Sequence, residues 1–300
     1  MKPKLKILCG PPGSGKSTYA KELEKQGFVR VSQDDQGRDG YWDIFRDAVD
    51  AKKDVVIDRM NFSIAQRRDF MILAPDHDYE VIVFHQSYQT CLERMLKRTG
   101  HPTIKDEKSA RSALHTFFTK YERPTPNEFL KVTYLYPEGH RPSAVVCDLD
   151  GTLCNIEHRR HFVRVDKDKG EKKNWKAFNE GIPNDTIHEW CRTLLMGMAR
   201  IVDQIVYCSG RGAENREETF RWLKTRGMID IFDGQDIYQA DLYMRSAGDH
   251  RQDWIVKEII LDFEILTRYE PVFFVDDRKQ VVDMWRRRGF VCLQCDPGEF

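Results

Sequence analysis

Short apolar runs alternate with helix-type patterns along the chain. The first half contains four runs with the length and composition of buried parallel strands, namely KLKILC (4–9), FVRVS (28–32), DVVIDR (54–59) and YEVIVFH (79–85). Helical patterns occupy most of the intervals between them. Repetition of strand, helix and strand predicts βαβ units and therefore a parallel sheet.

The pattern is interrupted once and then begins again. After a helical stretch at Ser109–Tyr121 and the apolar run FLKVTYLY (129–136), the segment PEGHRP (137–142) combines two prolines, a glycine and charged side chains. A second series of strand-type runs then appears, with helical stretches such as REETFRWLKTRG (216–227) between its members. These runs are SAVVCDLD (143–150), DQIVYCSG (203–210), PVFFVDD (271–277) and FVCLQC (290–295).

The chain length agrees with two domains. Domains usually have about 100–200 residues, so a chain of 300 residues has room for two. We predict two α/β domains, residues 1–139 and 140–300. Each is expected to be an open, mostly parallel sheet with helices on both faces and with its ligand beyond the carboxyl ends of the strands.

Charge and cysteine content narrow the function classes. The 48 basic and 48 acidic residues cancel, so the chain lacks the global basic field of a nucleic-acid packaging protein, and any nucleic-acid contact must come from a local patch. Cys9, Cys147 and Cys208 lie in strand-type runs, which favours buried, reduced thiols. The apolar run at the amino terminus is too short for a signal peptide, and no stretch approaches the ~20 apolar residues of a membrane span. We therefore expect a cytoplasmic protein.

The segment GPPGSGKST (10–18) follows the first strand-type run and precedes a helical pattern. This is the phosphate-binding P-loop motif GxxxxGK[ST]. Its glycines let backbone N–H groups surround phosphate oxygens, Lys16 brings a positive charge to the β- and γ-phosphates, and Ser17 offers a hydroxyl to magnesium. The expected nucleotide-binding residues are Gly10, Gly13, Ser14, Gly15, Lys16, Ser17 and Thr18.

Acidic residues follow two other strand-type runs of the first half. Asp34 and Asp35 come after the second run, where a carboxylate could take the proton of an acceptor hydroxyl; an aspartate turn or helix cap is the alternative. Asp58 ends the third run and would orient magnesium or a second basic group, unless its role is only structural.

A basic segment is the candidate lid. RMLKR (94–98) places Arg94 and Arg98 on one helical face, and TGHP follows directly. This arrangement is typical of a lid that closes over nucleotide phosphates, with Arg98 as the stronger candidate. A solvated helix face is the alternative.

The residues DLDGT (148–152) end a strand-type run of the second half. They match the DxDGT signature of haloacid dehalogenase superfamily phosphatases, which this half strongly resembles. The resemblance implies that Asp148 attacks phosphorus to form an aspartyl-phosphate, and that Asp150 protonates the leaving oxygen and then activates water. It also assigns Ser209 to a hydrogen bond with the phosphoryl group and Lys257 to charge compensation.

A magnesium ion is expected between this signature and a second acidic pair. Asp276 and Asp277 end the run FFVDD, and with Asp148 and Asp150 they form the predicted metal site. Asp277 is the preferred direct ligand. Unrelated surface carboxylates are the alternative.

Three other features of the second half allow more than one interpretation. The segment 158–178, rich in charge and aromatics, is either a cap over the site or a solvated loop. Arg245 and Arg251 either contact a nucleic-acid backbone or are solvated, and Arg211 and Arg245 are candidate substrate-binding residues. CLQC (292–295) lacks the further ligands of a zinc site, so we expect two buried strand cysteines.

A chain of this length with a P-loop followed by DxDGT resembles the bacteriophage polynucleotide kinase/3′-phosphatase family. The similarity spans essentially the whole chain. The similarity is densest in GPPGSGKST, QDD, KRTGHP, DLDGTL, MRSAGDHRQDWIVKE and DDRKQVVDMWRRRGF. It implies that the first half transfers the ATP γ-phosphate to a 5′-hydroxyl of RNA or DNA and that the second removes a 3′-phosphate, so that a ligase can join the ends. It further implies ATP and Mg²⁺ as cofactors, Asp34 as general base, Arg98 as phosphate clamp, and a homo-oligomer.

The chain departs from that family in several places. In the phage family an arginine follows the acidic pair that corresponds to Asp34 and Asp35. Here that arginine is Arg38, one residue later than in the family pattern, so only the resemblance implies that it contacts the acceptor. The stretch between Arg38 and Val55 is shorter, and the insertion in the phosphatase half is longer, so substrate preference is expected to differ. A kinase–phosphatase for a small phosphorylated metabolite is the alternative that the neutral charge permits. A non-catalytic module that binds strand ends is disfavoured, because the catalytic residues are intact.

Overall fold

The structure is a computed structural model that describes residues 2–37, 39–98, 106–128, 131–164, 172–229, 231–233, 236–238 and 241–298. Two compact units, Met1–Glu138 and Gly139–Phe300, each contain their own parallel sheet. Among the described residues, none of the helices combines the length and the apolar character needed to cross a membrane.

The first unit contains five strands and six helices in its described residues. The strands are β1 (Lys4–Cys9), β2 (Val29–Ser32), β3 (Val55–Asp58), β4 (Asp78–Phe84) and β5 (Lys131–Leu135). The helices are α1 (Lys16–Lys25), α2 (Gln33–Gln36), α3 (Gly40–Asp50), α4 (Ile64–Leu73), α5 (Tyr88–Leu96) and α6 (Glu107–Lys120). All neighbouring strands are parallel, in the order β2-β3-β1-β4-β5.

The central strand of this sheet is buried on both faces. Ile7 and Leu8 are neighbours in β1, and both have 0% exposure. Because consecutive side chains of a strand point to opposite faces, both faces must be covered. β1 lies between β3 and β4, so the chain leaves β1 at the topological switch point, where parallel α/β sheets bind their ligands.

The second unit has a larger set of elements. Its strands are β6 (Ser143–Cys147), β7 (Cys154–Asn155), β8 (Thr186–Ile187), β9 (Gln204–Gly212), β10 (Ile231–Asp233), β11 (Asp236–Tyr238), β12 (Asp241–Arg245), β13 (Glu270–Arg278) and β14 (Cys292–Gly298). Its helices are α7 (Glu157–Arg160), α8 (Trp175–Glu180), α9 (Glu189–Met198), α10 (Arg216–Thr225), α11 (Asp253–Ile260) and α12 (Lys279–Arg287). The main sheet is parallel, in the order β12-β9-β6-β13-β14, and β7–β8 and β10–β11 form antiparallel pairs.

Two separate cores lie on the two faces of this sheet. Val145 and Cys147 of β6 belong to one buried cluster, which includes Trp222 of α10. Ala144 and Val146 of the same strand belong to the other, which contains residues of α11 and α12. β6 is therefore the buried central strand, and the DxDGT motif leaves its carboxyl end at the switch point of the second sheet.

The fold prediction is confirmed, because both units are α/β with open parallel sheets. Each predicted strand-type run overlaps a strand. β12 was not predicted, since the edge strand DLYMR carries charged residues and is only partly buried. The predicted shared helical face of Arg94 and Arg98 is wrong, because α5 ends at Leu96 and Arg98 lies beyond it. All eight cysteines are free, and Cys295 is only partly buried, so the predicted burial of the CLQC pair holds for Cys292 alone.

Candidate active sites

The amino-terminal site begins where β1 ends. The loop from Gly10 to Gly15 connects β1 to α1, and Gly13 has a φ of +84°. A side chain at Gly13 would bring its Cβ within 2.6 Å of the Cys91 carbonyl oxygen, so the loop packs against α5 only because this residue is glycine. The loop thus leads directly into the amino-terminal end of α1, the end of a helix that attracts phosphate.

Lys16 and Ser17 are held by different partners at the start of α1. Lys16 Nζ donates to the Pro11 carbonyl oxygen at 2.7 Å, so the lysine folds back over the loop. Burial lowers the pKa of Lys16, and the Asp58 carboxylate partly offsets this effect. Ser17 Oγ donates to Asp58 Oδ1 at 3.1 Å. A partly desolvated ammonium group interacts strongly with phosphate, because less water screens its charge.

Asp58, at the carboxyl end of β3, contacts side chains of both α1 and β2. Its Oδ2 accepts hydrogen bonds from Arg30 Nε at 3.0 Å and Nη2 at 2.6 Å, while Oδ1 accepts the bond from Ser17. Of the roles left open for Asp58, the structure shows the contact with a basic group. Arg30 was not predicted from the sequence. Its one indication there was that a charged residue stands within the strand-type run FVRVS (28–32).

Asp34 and Asp35 have different surroundings. Asp34 lines a cavity of about 350 Å³ together with Lys16, Ser17 and Arg98. Asp35 instead pairs with Arg30 Nη1 at 2.7 Å. Of the two carboxylates, Asp34 is therefore the one that lines the same cavity as Lys16.

The remaining predicted residues of the first unit differ in position. Gly15 lines the cavity, whereas Gly10, Ser14 and Thr18 are not among its lining residues. Arg94 lies at the end of α5, with Nη1 at 3.5 Å from the Gly13 carbonyl oxygen. Arg38 and the TGHP segment (99–102) lie outside the described residues.

The carboxyl-terminal site is assembled at the ends of three adjacent strands. Asp148 follows β6, Ser209 lies near the end of β9, and Asp276 and Asp277 lie near the end of β13. Because these strands are parallel neighbours, their carboxyl ends meet at one edge of the sheet. Lys257 of α11 donates from Nζ to Asp148 Oδ1 at 2.7 Å and to Asp276 Oδ2 at 2.9 Å. The structure thus brings these five of the six predicted residues together, and Asp150, the sixth, is described below.

Asp148, Asp276 and Asp277 form an acidic cluster in which one oxygen from each lies within 4.8 Å of the others. Burial raises the pKa of Asp148 well above its usual range, although Lys257 opposes the shift. Burial and the Asp276 charge raise the pKa of Asp277 to about 7. Neither carboxylate oxygen of Asp277 has a hydrogen-bond partner within the described part of the chain. Such a set of buried oxygen donors fits a hard divalent cation.

Gly151 of the DxDGT motif is required beside this cluster. Its φ is +88°, which disfavours other residues. A Cβ at this position would lie 2.4 Å from Asp277 Oδ2. A side chain here would therefore displace the unpaired carboxylate.

Asp150 has a different environment from Asp148. Arg211 Nε donates to both of its oxygens at 3.1 and 3.0 Å, and Arg159 Nη2 donates to Oδ1. Burial would raise the pKa of Asp150, but the two guanidinium groups outweigh it and hold that pKa well below its usual range. The Asp150 carboxylate is not a member of the acidic cluster but lies within 4.8 Å of ligand atoms of Cys154 and Asp185, so its part in holding the metal stays a prediction.

Asp185 is a fully buried carboxylate that holds both arginines. Its Oδ1 accepts from Arg159 Nε at 2.6 Å, and its Oδ2 accepts from Arg211 Nη2 at 2.9 Å. The Asp185 side chain has 0% exposure. Neither residue was predicted from the sequence: Asp185 belongs to no motif, and the only indication for Arg159 was its place in the segment 158–178, which is rich in charge and aromatics.

Replacing Asp185 with alanine is expected to destabilise the second unit by about 3–5 kcal/mol, because two buried guanidinium groups would lose a shared partner. Urea unfolding followed by circular dichroism measures this change. Asp283→Ala is the control, since Asp283 forms an exposed pair with Lys279, and such pairs contribute about 0–1 kcal/mol. Equal unfolding midpoints for the two variants would contradict the assigned role of Asp185.

A cavity of about 390 Å³ contains Asp148, Asp150, Ser209 and Arg211. Two further lining residues, Asp253 and Arg278, pair at 3.5 Å and were missed by sequence analysis. The sequence position of each residue indicated that it lies near the site: Asp253 precedes Lys257 by one helical turn, and Arg278 directly follows the acidic pair.

The predicted nucleic-acid contacts Arg245 and Arg251 also line this cavity. Arg245 Nε donates to the Gly210 carbonyl oxygen at 2.9 Å, and Arg251 pairs with Asp249 at 2.6 Å. Both guanidinium groups are therefore positioned by protein partners at the cavity wall.

Family comparisons agree with this division into two sites. The polynucleotide kinase PNKP phosphatase domain matches residues 142–300, and the AAA domain matches residues 7–115.

Individual relatives are similar over different parts of the chain. A bifunctional polynucleotide kinase/RNA ligase of Autographa californica nuclear polyhedrosis virus is 25% identical over 94% of this chain and 41% of the relative. Transcription factor bHLH140 of Arabidopsis thaliana is 31% identical over 46% of this chain and 16% of the relative. The chain thus spans less than half the length of either. A chain in the structure of the Pnkp1/Rnl/Hen1 RNA repair complex is 27% identical, with coverage of 99% of this chain and 97% of that chain and a TM-score of 0.42.

Proposed function

The chain belongs to the family of the polynucleotide kinase PNKP phosphatase domain, and from that membership we propose that it is a bifunctional enzyme that heals nucleic-acid ends. One site transfers the ATP γ-phosphate to a 5′-hydroxyl, and the other hydrolyses a 3′-phosphate of RNA or DNA. The observation that carries the proposal is the presence of two separately assembled sites, a P-loop cavity with Asp34 and an acidic cluster with Lys257. We assign the kinase to residues 1–139 and the phosphatase to residues 140–300.

In the kinase site, the P-loop positions the phosphates and Asp34 acts on the acceptor. Lys16 exchanges its bond with the Pro11 carbonyl oxygen for phosphate oxygens when ATP binds. Asp34 accepts the proton of the 5′-hydroxyl as the hydroxyl oxygen attacks the γ-phosphorus, and the bond to the β-phosphate oxygen breaks so that ADP leaves. Arg98, in the same cavity, offsets the negative charge that spreads over the transferred phosphoryl oxygens.

In the phosphatase site, Asp148 is the nucleophile. Lys257 binds Asp148 Oδ1, so we assign attack on phosphorus to Oδ2. Ser209 Oγ, 1% exposed and in the same cavity, donates to a phosphoryl oxygen. Because Arg159 and Arg211 keep the pKa of Asp150 low, the free carboxylate is ionised and suited to take a proton from the water that cleaves the aspartyl-phosphate. The earlier donation of a proton to the departing 3′-oxygen, which the family resemblance implies, requires that binding of the substrate phosphate first relieves these contacts, so that Asp150 takes up a proton. Arg159 and Arg211 hold Asp150 in place, and Arg211, which also lines the cavity, is positioned to bind the incoming phosphate.

Magnesium is the proposed cation of the acidic cluster. Asp277 supplies the unpaired carboxylate, and Asp148 and Asp276 complete the set of protein oxygens. Bound there, Mg²⁺ would neutralise the excess carboxylate charge and polarise the phosphoryl group. At the kinase site, Ser17 is the proposed contact for the magnesium that accompanies ATP.

Millimolar Mg²⁺ is expected to raise the melting temperature of the wild-type protein by a few degrees, because the cation binds only the folded acidic cluster. Asp277→Asn should lose most of this increase, since it removes a charged ligand. Differential scanning calorimetry without nucleotide gives a readout independent of catalysis. Asp283→Asn, which alters an exposed carboxylate, should keep the full increase. An unchanged increase in Asp277→Asn would exclude the proposed ligand.

The proposed activities prepare strand ends for a ligase. The baculovirus relative is named for a kinase joined to an RNA ligase, and we propose that this chain acts before such a ligase on RNA or DNA in the cytoplasm. A kinase and a phosphatase on one chain suit a break that leaves a 5′-hydroxyl and a 3′-phosphate.

Substrate competition tests the proposal against a small-metabolite kinase–phosphatase. The protein is incubated with γ-labelled ATP and a 5′-hydroxyl oligonucleotide, and phosphate release is followed from a separate 3′-phosphate oligonucleotide. Transfer of label to the oligonucleotide, inhibited by unlabelled oligonucleotide and not by free nucleosides or sugars, is the expected result. Preferential phosphorylation of a free nucleoside or sugar would contradict the proposal.

A further inference from the structure

An exposed tryptophan lies in the wall of the phosphatase cavity. Trp175 begins α8 and is 47% exposed. It lines the same cavity as Asp148, Asp150 and Ser209. A single exposed aromatic residue elsewhere on a surface needs no explanation. In this cavity, however, an indole can contact whatever group is attached to the reacting phosphate.

The helix that carries Trp175 is fixed to the catalytic centre. Phe178, one turn later, is only 2% exposed, and its ring meets the indole edge to face with centroids 5.8 Å apart. The Arg159 guanidinium lies over the Phe178 ring at 4.1 Å, and the same arginine binds Asp150. Asn174 caps α8 through its side chain. Contacts therefore run from Trp175 through Phe178 and Arg159 to Asp150, which keeps the indole at a defined position beside the reacting group.

The surroundings of the indole suit an anionic strand. Lys173 Nζ lies 5.3 Å from the indole centroid. Arg245, His250 and Arg251 also line the cavity. Sites for single-stranded nucleic acid combine such basic groups with an aromatic surface on which a base stacks.

We propose that Trp175 stacks on the base of the terminal nucleotide whose 3′-phosphate is removed. The inference rests on the proposed 3′-phosphatase function and deepens it, because it identifies the residue that distinguishes a nucleotide end from a simple phosphate ester. Every base offers a flat face, so the contact is tolerant of sequence. The stacking contact strengthens binding of the terminal nucleotide, so its loss should change KM more than kcat.

Two oligonucleotides with a 3′-phosphate test the proposal, one with a normal terminal base and one with a stable abasic terminal residue. Steady-state kinetics are compared for wild type, Trp175→Ala, Trp175→Phe and the control Trp190→Ala. Trp190 is similarly exposed, at 45%, but does not line the cavity.

Stacking predicts that Trp175→Ala lowers kcat/KM for the base-bearing oligonucleotide by about 5- to 150-fold, mainly through KM. Wild type should show a similar decrease on the abasic oligonucleotide, and Trp175→Ala should show little further loss there. Trp175→Phe should retain most of the wild-type activity, and Trp190→Ala should be unchanged.

Other outcomes overturn the inference in distinguishable ways. Equal losses on both oligonucleotides would show that Trp175 only supports the structure of the cavity. No loss on the base-bearing oligonucleotide would show that the indole makes no contact with the base. If the wild-type protein hydrolyses neither oligonucleotide, the proposed function fails before any variant is compared, and the stacking inference fails with it.

Discussion

Replacing Asp148 with alanine is expected to abolish 3′-dephosphorylation and to leave 5′-phosphorylation at the wild-type rate. The variant lacks the carboxylate that attacks phosphorus. Asp276 cannot replace it, because both of its oxygens are engaged, Oδ2 by Lys257 and Trp285 and Oδ1 by the Arg278 backbone N–H. Removal of a covalent nucleophile commonly lowers kcat by roughly 10³-fold or more. Release of phosphate from a 3′-phosphate oligonucleotide measures the loss, and transfer from labelled ATP measures the activity that remains.

The covalent intermediate provides a second readout for the same residue. With a substrate labelled in the 3′-phosphate, rapid quenching in acid should leave label on the wild-type protein and none on Asp148→Ala. Asp148→Asn, which keeps the shape of the side chain, should behave like the alanine variant, and circular dichroism should confirm that both fold. A loss of only a few-fold, or labelled protein in either variant, would contradict nucleophilic catalysis by Asp148.

Replacing Lys16 with alanine is expected to have the opposite effect on the two activities, with loss of 5′-phosphorylation and retention of 3′-dephosphorylation. The variant loses the one P-loop ammonium group, so transfer of the γ-phosphate should fall by roughly 10²-fold or more, whereas 3′-dephosphorylation should remain at the wild-type rate. The same pair of assays measures both activities. The expected selectivity follows from the position of Lys16 in the first unit, which contains none of the phosphatase residues.

A neighbouring lysine supplies the matched control. Lys21 also lies in α1 but is exposed and does not line the cavity, so Lys21→Ala should retain both activities. Loss of both activities in Lys16→Ala would contradict two independent sites. An equal effect of the two lysine substitutions on phosphorylation would contradict a specific contact between Lys16 and phosphate.

The sheets were predictable because their central strands are buried on both faces and therefore appear as continuous apolar runs. β12 lacks such a continuous apolar run and was not predicted. As an edge strand it is only partly buried, and its sequence DLYMR gives no clear apolar run. The end of α5 was also unpredictable from the charge spacing, since Arg94 and Arg98 keep a helical spacing although the helix stops at Leu96.

The catalytic residues were predictable where one chemical task needs several groups within a short segment. The P-loop places Lys16 and Ser17 side by side, and DxDGT places Asp148 two residues from Asp150. In contrast, the supporting residues act through contacts between distant parts of the sequence. Asp185 and Arg159 are 26 positions apart.

Arg30 and Asp58 give a second example of such a distant contact, at 28 positions apart. Neither pair has a characteristic spacing, because the fold and not the local sequence brings its members together. Trp175 illustrates the same limit, since only the shared cavity distinguishes it from other exposed aromatic residues.

One chain is proposed to heal both ends of a broken strand. The most direct test of this proposal is incubation of the wild-type protein with Mg²⁺, γ-labelled ATP and a single oligonucleotide that carries a 5′-hydroxyl and a 3′-phosphate, with both ends of the product resolved over time. We expect the 5′ end to gain label while the 3′ end loses phosphate. An oligonucleotide unchanged at both ends, with ATP or a simple phosphate ester consumed in the same reaction, would contradict it.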